Sequence, residues 1–213
     1  KYYELAMEFF SSAGDNEKIN ESKFEIANIY YITFKRQLAE KLLREIEAED
    51  VSNNLKIKTK LLLAAITGCS IKDALQLVTG SVEKNVLAEL YFKYALNLDE
   101  EGDLENALKY YKKCIEINQN PKINTFLSSA LTNIATIYDE EGKSDSAVKY
   151  LTESLRLDEL TKNNNGIYIS AMKLAEILTV RNPQKALDYL KRAKACAVEL
   201  NEPFYIASSN VAL

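Results

Sequence analysis

Two acidic triplets, Asp99-Glu100-Glu101 and Asp139-Glu140-Glu141, place carboxylates close enough to bind a cation or to work as an acid and base pair. Each triplet stands just ahead of a glycine, Gly102 or Gly142, at the same place in two copies of one phrase. That placement assigns them to solvated helix ends and turns. Gly142-Lys143-Ser144 has the tail of a phosphate-binding loop. The motif needs a glycine five residues before Gly142, where Ile137 stands, and a strand ahead of the loop, where the pattern is helical. Asn20-Glu21-Ser22 is a formal glycosylation sequon, but such triplets arise by chance and nothing else in the chain looks secreted. Cys69, Cys114 and Cys196 are far apart and never form a CxxC pair, which fits buried, reduced thiols better than a disulfide framework. Cys114 and Cys196 stand where a small buried residue is wanted. The chain has no histidine, so the commonest general base and the commonest neutral metal ligand are missing. The expectation is a protein that is not an enzyme, with no catalytic residue, cofactor or metal. Among the 13 tyrosines, Tyr94, Tyr111 and Tyr138 fall on packing faces.

The chain of 213 residues is 47% hydrophobic and 27% charged, enough for a packed core. Lys and Arg (27) nearly balance Asp and Glu (31), with no concentrated basic face, so no nucleic acid is expected as a direct partner. No apolar run reaches the length of about 18 residues that a membrane span needs. There is no signal-peptide pattern, and the expected location is cytoplasmic. The chain begins at Lys1 and stops at "SSNVAL" within a helical pattern, and reads as a fragment of a longer protein.

The elements that position these residues are helices almost throughout. Leu87, Leu90, Tyr91, Tyr94, Ala95 and Leu98 recur at steps of three and four, one face of an α-helix. The six glycines fall where helices would end or join: Gly14, Gly68, Gly80, Gly102, Gly142 and Gly166. Asn120-Pro121, Asn182-Pro183 and Glu202-Pro203 suit helix starts. The reading is one all-α domain over 1–213, with helix pairs near 20–49, 54–79, 84–118, 123–159 and 166–200 and partial units at 1–14 and 203–213. Within the third of these pairs, a single helix is expected over 84–100; within the second, over 71–79.

"EGDLENALKYYKKCIEIN" (101–118) is echoed by "EGKSDSAVKYLTESLRLD" (141–158) 40 residues later. Small residues anchor the first helices at Ala27, Ala65, Ala95, Ala135 and Ala175. They anchor the second helices at Ala39, Ala74, Ala107, Ala147 and Ala186. Two antiparallel helices approach closely only where side chains are small, and large residues one turn away fill the space around the crossing. One hairpin cannot bury its own apolar face, so hairpins must stack.

On these residues the chain resembles the tetratricopeptide repeat family, whose period is about 34 residues. The resemblance rests on "LYFKYALNLDEEGDLENALKYYKKCIEIN" (90–118) and "LTNIATIYDEEGKSDSAVKYLTESLRLD" (131–158). The longer period of the second half is similar to the extended repeats of kinesin light chains and of bacterial peptide-sensing regulators. The unit at 20–49 departs from the pattern by having Phe34-Lys35 at its turn instead of Gly-Asp, and the unit at 54–79 has shortened helices. The resemblance implies a right-handed α-α superhelix that binds a protein or peptide in its concave groove, or alternatively a sensory module that regulates an effector domain elsewhere. It also implies that the first helices line the groove. Matched to the family pattern, the groove positions are Lys93, Asn133, Lys173 and Asn210, with Phe92, Thr132, Met172 and Ser209 one residue before them. Leu96, Thr136 and Glu176 follow the small residue. Lys93, Asn133, Thr136, Lys173 and Asn210 are the candidate peptide-binding residues, and an asparagine there can donate and accept to a peptide backbone at once. The Lys/Asn carboxylate clamp of chaperone adaptors is not matched, because Phe92/Leu96, Thr132/Thr136 and Met172/Glu176 occupy its positions. Open repeat ends would allow a homodimer.

Overall fold

The computed structural model describes residues 5, 8, 10–12, 14–117, 120 and 125–212, with side chains described to 208. All regular structure among them is helical. The chain forms two compact units, Lys1–Tyr94 and Ala95–Leu213, and the division falls within one helix.

The first unit contains α1 (Asn16–Ile32), α2 (Arg36–Glu47), α3 (Asn53–Thr67), a 3-10 segment (Lys72–Leu77) and the start of α4 (Lys84–Glu100). α1 packs on α2, α2 on α3, and α3 on the 3-10 segment. Ala27 and Ala39 are fully buried and share a core with Leu43, Ile46 and Leu55. A second core joins Ile57 and Leu61 of α3 to Ile71, Ala74, Val86 and Leu90. The segment expected as a helix over 71–79 is a 3-10 helix over Lys72–Leu77, which buries Ala74 beside Ile71 and packs Leu75, Leu77 and Val78 against the same core. In α3 the expected small anchor is displaced by one residue: Ala65 is exposed and Ala64 is buried.

The second unit holds the end of α4, then α5 (Leu104–Ile117), α6 (Leu127–Glu140), α7 (Ser144–Thr161), α8 (Asn164–Leu178), α9 (Pro183–Leu200) and α10 (Pro203–Ala212). From α5 onward each helix packs on the next, and α6 also touches α8. This is a solenoid of stacked hairpins. Ala95, Ala107, Ala135 and Ala147 are all at 0% exposure, so the small-residue positions are the tight points of the packing. Leu151, Leu155, Leu174 and Ala193 form the core between α7, α8 and α9.

The echoed phrase builds one turn twice. Gly102 N–H donates to Asp99 O (3.0 Å) and Asp103 N–H to Leu98 O (2.8 Å). Gly142 N–H donates to Asp139 O (2.8 Å) and Lys143 N–H to Tyr138 O (2.8 Å). Both glycines are left-handed, at φ +79° and +74°, and this pairing closes a helix by satisfying its last carbonyls. The α1–α2 turn keeps the same bonds, Phe34 N–H to Tyr31 O and Lys35 N–H to Tyr30 O, with Phe34 itself at φ +60°. The departure in sequence therefore leaves the turn geometry unchanged, at the expense of a strained and 86% exposed phenylalanine.

Candidate functional site

Tyr111 on α5 is fully buried, and its hydroxyl donates to Asp99 Oδ2 on α4 at 3.2 Å. Burial, and then the neighbouring Asp99 carboxylate, hold the phenol well above its ordinary pKa, so it keeps its proton. With that proton directed at Asp99, the phenol oxygen can only accept from Asn133. The Asn133 amide nitrogen donates to it at 3.0 Å. The orientation of the Asn133 amide is therefore set from behind, and its Oδ1 and second N–H, which have no partner among the described residues, remain for another.

Asn133 lines a cavity of about 350 Å³. α6 supplies Ser128, Ser129, Thr132, Asn133 and Thr136 to its wall, and α8 supplies Asn165, Gly166, Ile169 and Lys173. Asp99 closes one side, and Asp158 and Asn163, at the α7–α8 junction, close another. Residues three and four apart on neighbouring helices present one continuous stripe. A row of hydroxyls lies behind it. Thr132 Oγ1 and Ser154 Oγ are 2.8 Å apart, Ser154 donates to Ser128 O (2.9 Å), and Ser170 donates to Ser154 Oγ (3.2 Å). Ser154 and Ser170 are both fully buried.

At one end of the cavity sits Asp158, only 2% exposed. Asn163 caps α8 by accepting from Gly166 N–H (3.2 Å) and donates its own Nδ2 to Asp158 Oδ1 (2.8 Å). Gly166, expected where two helices join, stands in the first turn of α8, where a Cβ would come within 2.3 Å of the Asp158 carboxylate. Its missing side chain is the space the carboxylate occupies. Burial pushes the Asp158 pKa up, against the opposing influence of the nearby polar groups of Ser128, Asn163 and Ser154.

The sign of the resulting pH effect follows. A raised pKa means that the folded chain binds the proton more tightly than the unfolded one. Ionised Asp158 therefore lowers stability above its raised pKa, and the loss is recovered as pH falls through that value toward the ordinary aspartate range. Asp158→Asn should stabilise the chain at pH 7 by about 1 kcal/mol or less. The advantage over wild type should shrink on acidification. Thermal melts of both proteins across that range check it, and a variant advantage that grows toward low pH would contradict it.

Of the five candidate residues, the fold brings Asn133, Thr136 and Lys173 together on this cavity. Thr136 directs its hydroxyl hydrogen to Thr132 O (3.0 Å), within its own helix. Lys173 is half-buried and makes no ion pair or hydrogen bond among the described residues, and it also lines a second cavity of about 380 Å³ with Met172 and Glu176. Lys93 belongs to the first unit, where it pairs with Glu89 at 3.0 Å. The side chains of Ser209 and Asn210 lie outside the described residues. Sequence reasoning had not singled out Asp158, Asn163, Ser128, Ser129 or Asn165 as site residues.

Asn20 is fully buried and its amide donates to Asn16 O (3.0 Å), so the sequon asparagine does not present itself for glycosylation. Glu141 pairs with Lys143 at 2.8 Å across the Gly142 turn. Cys114 and Cys196 are buried, whereas Cys69 is exposed, because it follows the left-handed Gly68 cap of α3 and lies beyond the packed face. Among the described residues, no group of three or more His, Cys, Asp or Glu side chains could hold a metal ion, and no helix is long and apolar enough to cross a membrane.

The tetratricopeptide repeat family model matches residues 86–160. A search of curated proteins finds no match. Among solved structures, the chain is similar to aspartyl phosphate phosphatase F from Bacillus subtilis, with TM-score 0.60 and 12% identity over 99% of this chain and 48% of that one. It is similar to a Signal Transduction ATPase with Numerous Domains protein with a tetratricopeptide repeat sensor from Pyrococcus horikoshii, with TM-score 0.67 and 21% identity over 97% of this chain and 33% of that one. A kinesin light chain repeat protein from Podosopora anserina aligns with TM-score 0.58 and 14% identity over 85% of this chain and 95% of that one. The chain thus spans half or less of the first two proteins. It has the tetratricopeptide-repeat fold, with its repeats matched by sequence between 86 and 160.

Proposed function

We propose that this chain is a protein- or peptide-binding scaffold, and that a peptide segment lies across α6 and α8 with its backbone engaged by Asn133. One observation carries the reading. The Asn133 amide is oriented by the Tyr111–Asp99 relay, which leaves an acceptor and a donor on the wall of a polar cavity. One acceptor and one donor on a single side chain match the N–H and C=O of one peptide residue and do not depend on its side chain. The three free cysteines support a cytoplasmic location.

Two backbone hydrogen bonds are worth about 2 kcal/mol together, so Asn133→Ala should weaken a bound peptide roughly 30-fold. The test is affinity capture with wild type and with Asn133→Ala/Lys173→Ala, followed by calorimetric titration of a captured peptide against each single variant. Partners retained equally by both proteins would remove α6 and α8 as the binding face.

A second reading makes the repeats a sensor that controls an effector domain elsewhere in a longer protein. The Pyrococcus horikoshii protein is described as having a tetratricopeptide repeat sensor, and the present chain aligns with a third of its length. Deleting the repeats from the intact protein separates the two readings. A change in the activity of the remaining domains favours the sensor.

A further inference from the structure

Asp158 is the charged side chain among the described buried residues, and no described Lys or Arg pairs with it. Asn163 donates to it, and its other polar neighbours, Ser128 and Ser154, are neutral as well. A buried carboxylate without a cation is costly, and neutral hydrogen bonds repair only part of the loss. It stands in the last turn of α7, the negative end of that helix, and faces the first turn of α8, the positive end of the next, so the two dipoles oppose each other. Packing does not require an acid here, since an asparagine has the same shape. The acid nevertheless lines the cavity, in the space that Gly166 leaves open.

We propose that the Asp158 carboxylate is a subsite for a cationic group of the bound peptide, a Lys or Arg side chain or a free amino terminus. The inference rests on the peptide-binding reading above and adds the chemistry of one residue and the direction of the chain. Lys173 lies seven residues along α8 from Gly166, about 10 Å away along the helix. Its ammonium has no partner among the described residues and repels a cation from that end. The ligand's positive group is therefore placed at the Asp158 end of the stripe and excluded from the Lys173 end. An extended segment of about three residues spans the interval.

The test is a nuclear magnetic resonance titration of the labelled 213-residue chain with small probes. N-acetyl-lysine methylamide and N-acetyl-arginine methylamide present a side-chain cation. Alaninamide presents a free amino terminus. N-acetyl-norleucine methylamide is the neutral control, and N-acetyl-trialanine methylamide is an uncharged backbone. The cationic probes should shift the Gly166 and Asn163 amide signals saturably, with the norleucine probe about tenfold weaker. The response of the blocked amino acids against that of alaninamide decides between a side chain and an amino terminus. Asp158→Asn, which keeps the shape, should abolish the preference for charge.

Equal shifts from norleucine and lysine probes on wild type would overturn the subsite without recourse to any variant. So would a charge preference that survives Asp158→Asn, or shifts confined to the exposed Asp139–Glu141 turn. The two readings fail separately. If trialanine shifts the Asn133 side-chain amide while the cations leave Gly166 unmoved, the subsite falls and the groove stands. If the cations shift Gly166 while trialanine leaves Asn133 unmoved, the backbone role of Asn133 falls and the subsite stands.

Discussion

Leu174→Ala is expected to destabilise the second unit by about 2–5 kcal/mol, a large share of the ~5–15 kcal/mol that holds a typical domain together. Leu174 is at 0% exposure, in the cluster that joins Leu151 and Leu155 of α7 to Ala193 and Ala197 of α9. Five of the ten other buried residues in that cluster are alanines: Ala135, Ala147, Ala171, Ala193 and Ala197. Alanines cannot reach into a vacated volume, so on their side the cavity persists and its penalty is felt. The effect should also be directional. In a solenoid each hairpin is held by its neighbours alone. A void beneath α8 weakens its contact with α9 and, through it, the hold on α10. Hydrogen exchange should show amides of α9 and α10 losing protection ahead of those in α6 and α7. Val180, at 90% exposure just beyond α8, provides the control: Val180→Ala should change stability by no more than about 0.5 kcal/mol. Equal urea midpoints for Leu174→Ala and Val180→Ala would mean that the cluster is not the core.

What could be read from sequence was what repeats locally. The glycine turns at Gly102 and Gly142 and the alanines at 95, 107, 135 and 147 are set by contacts within one hairpin, and the echoed phrase displays them. Where a unit departs from the phrase, the reading slips. Ala64 displaces Ala65 because α3 must serve two cores, facing Leu55 and Leu63 on one side and Ile57 and Leu61 on the other. The 3-10 segment needed knowledge that Ile71 and Ala74 are buried together. Much of the site's stripe was within reach. Stepping back by four from Asn133, Thr136 and Lys173 gives Ser129, Thr132 and Ile169, and a further step of three or four from Ile169 gives Gly166 or Asn165, all on the cavity. The relay behind Asn133 was not, because Asp99, Tyr111 and Asn133 come from three helices. Tyr111 looked like core, and it is core. Its hold on Asn133 shows only in where its one proton goes.

Gly166→Ala offers the sharpest test of the site's construction, because its sign should depend on another residue. In the first turn of a helix, alanine is ordinarily better than glycine by about 0.5–1 kcal/mol. Here the added methyl carbon would stand 2.3 Å from the Asp158 carboxylate, far inside contact distance. The carboxylate cannot simply swing aside, since it is 2% exposed and held by Asn163. Moving it breaks that bond and leaves a charge in a dry setting. The single substitution should therefore destabilise the chain by about 1–3 kcal/mol. In an Asp158→Ala background the obstruction is gone, and the same Gly166→Ala change should become neutral or stabilising. The double-mutant cycle would then give a coupling energy of about 1.5 kcal/mol or more between two residues eight apart in sequence. Additive effects would mean that Gly166 is there for helix geometry and that the Asp158 carboxylate does not use its space. The cycle reads stability alone, so it requires no ligand, and it fixes the position of the carboxylate on which the cation subsite depends.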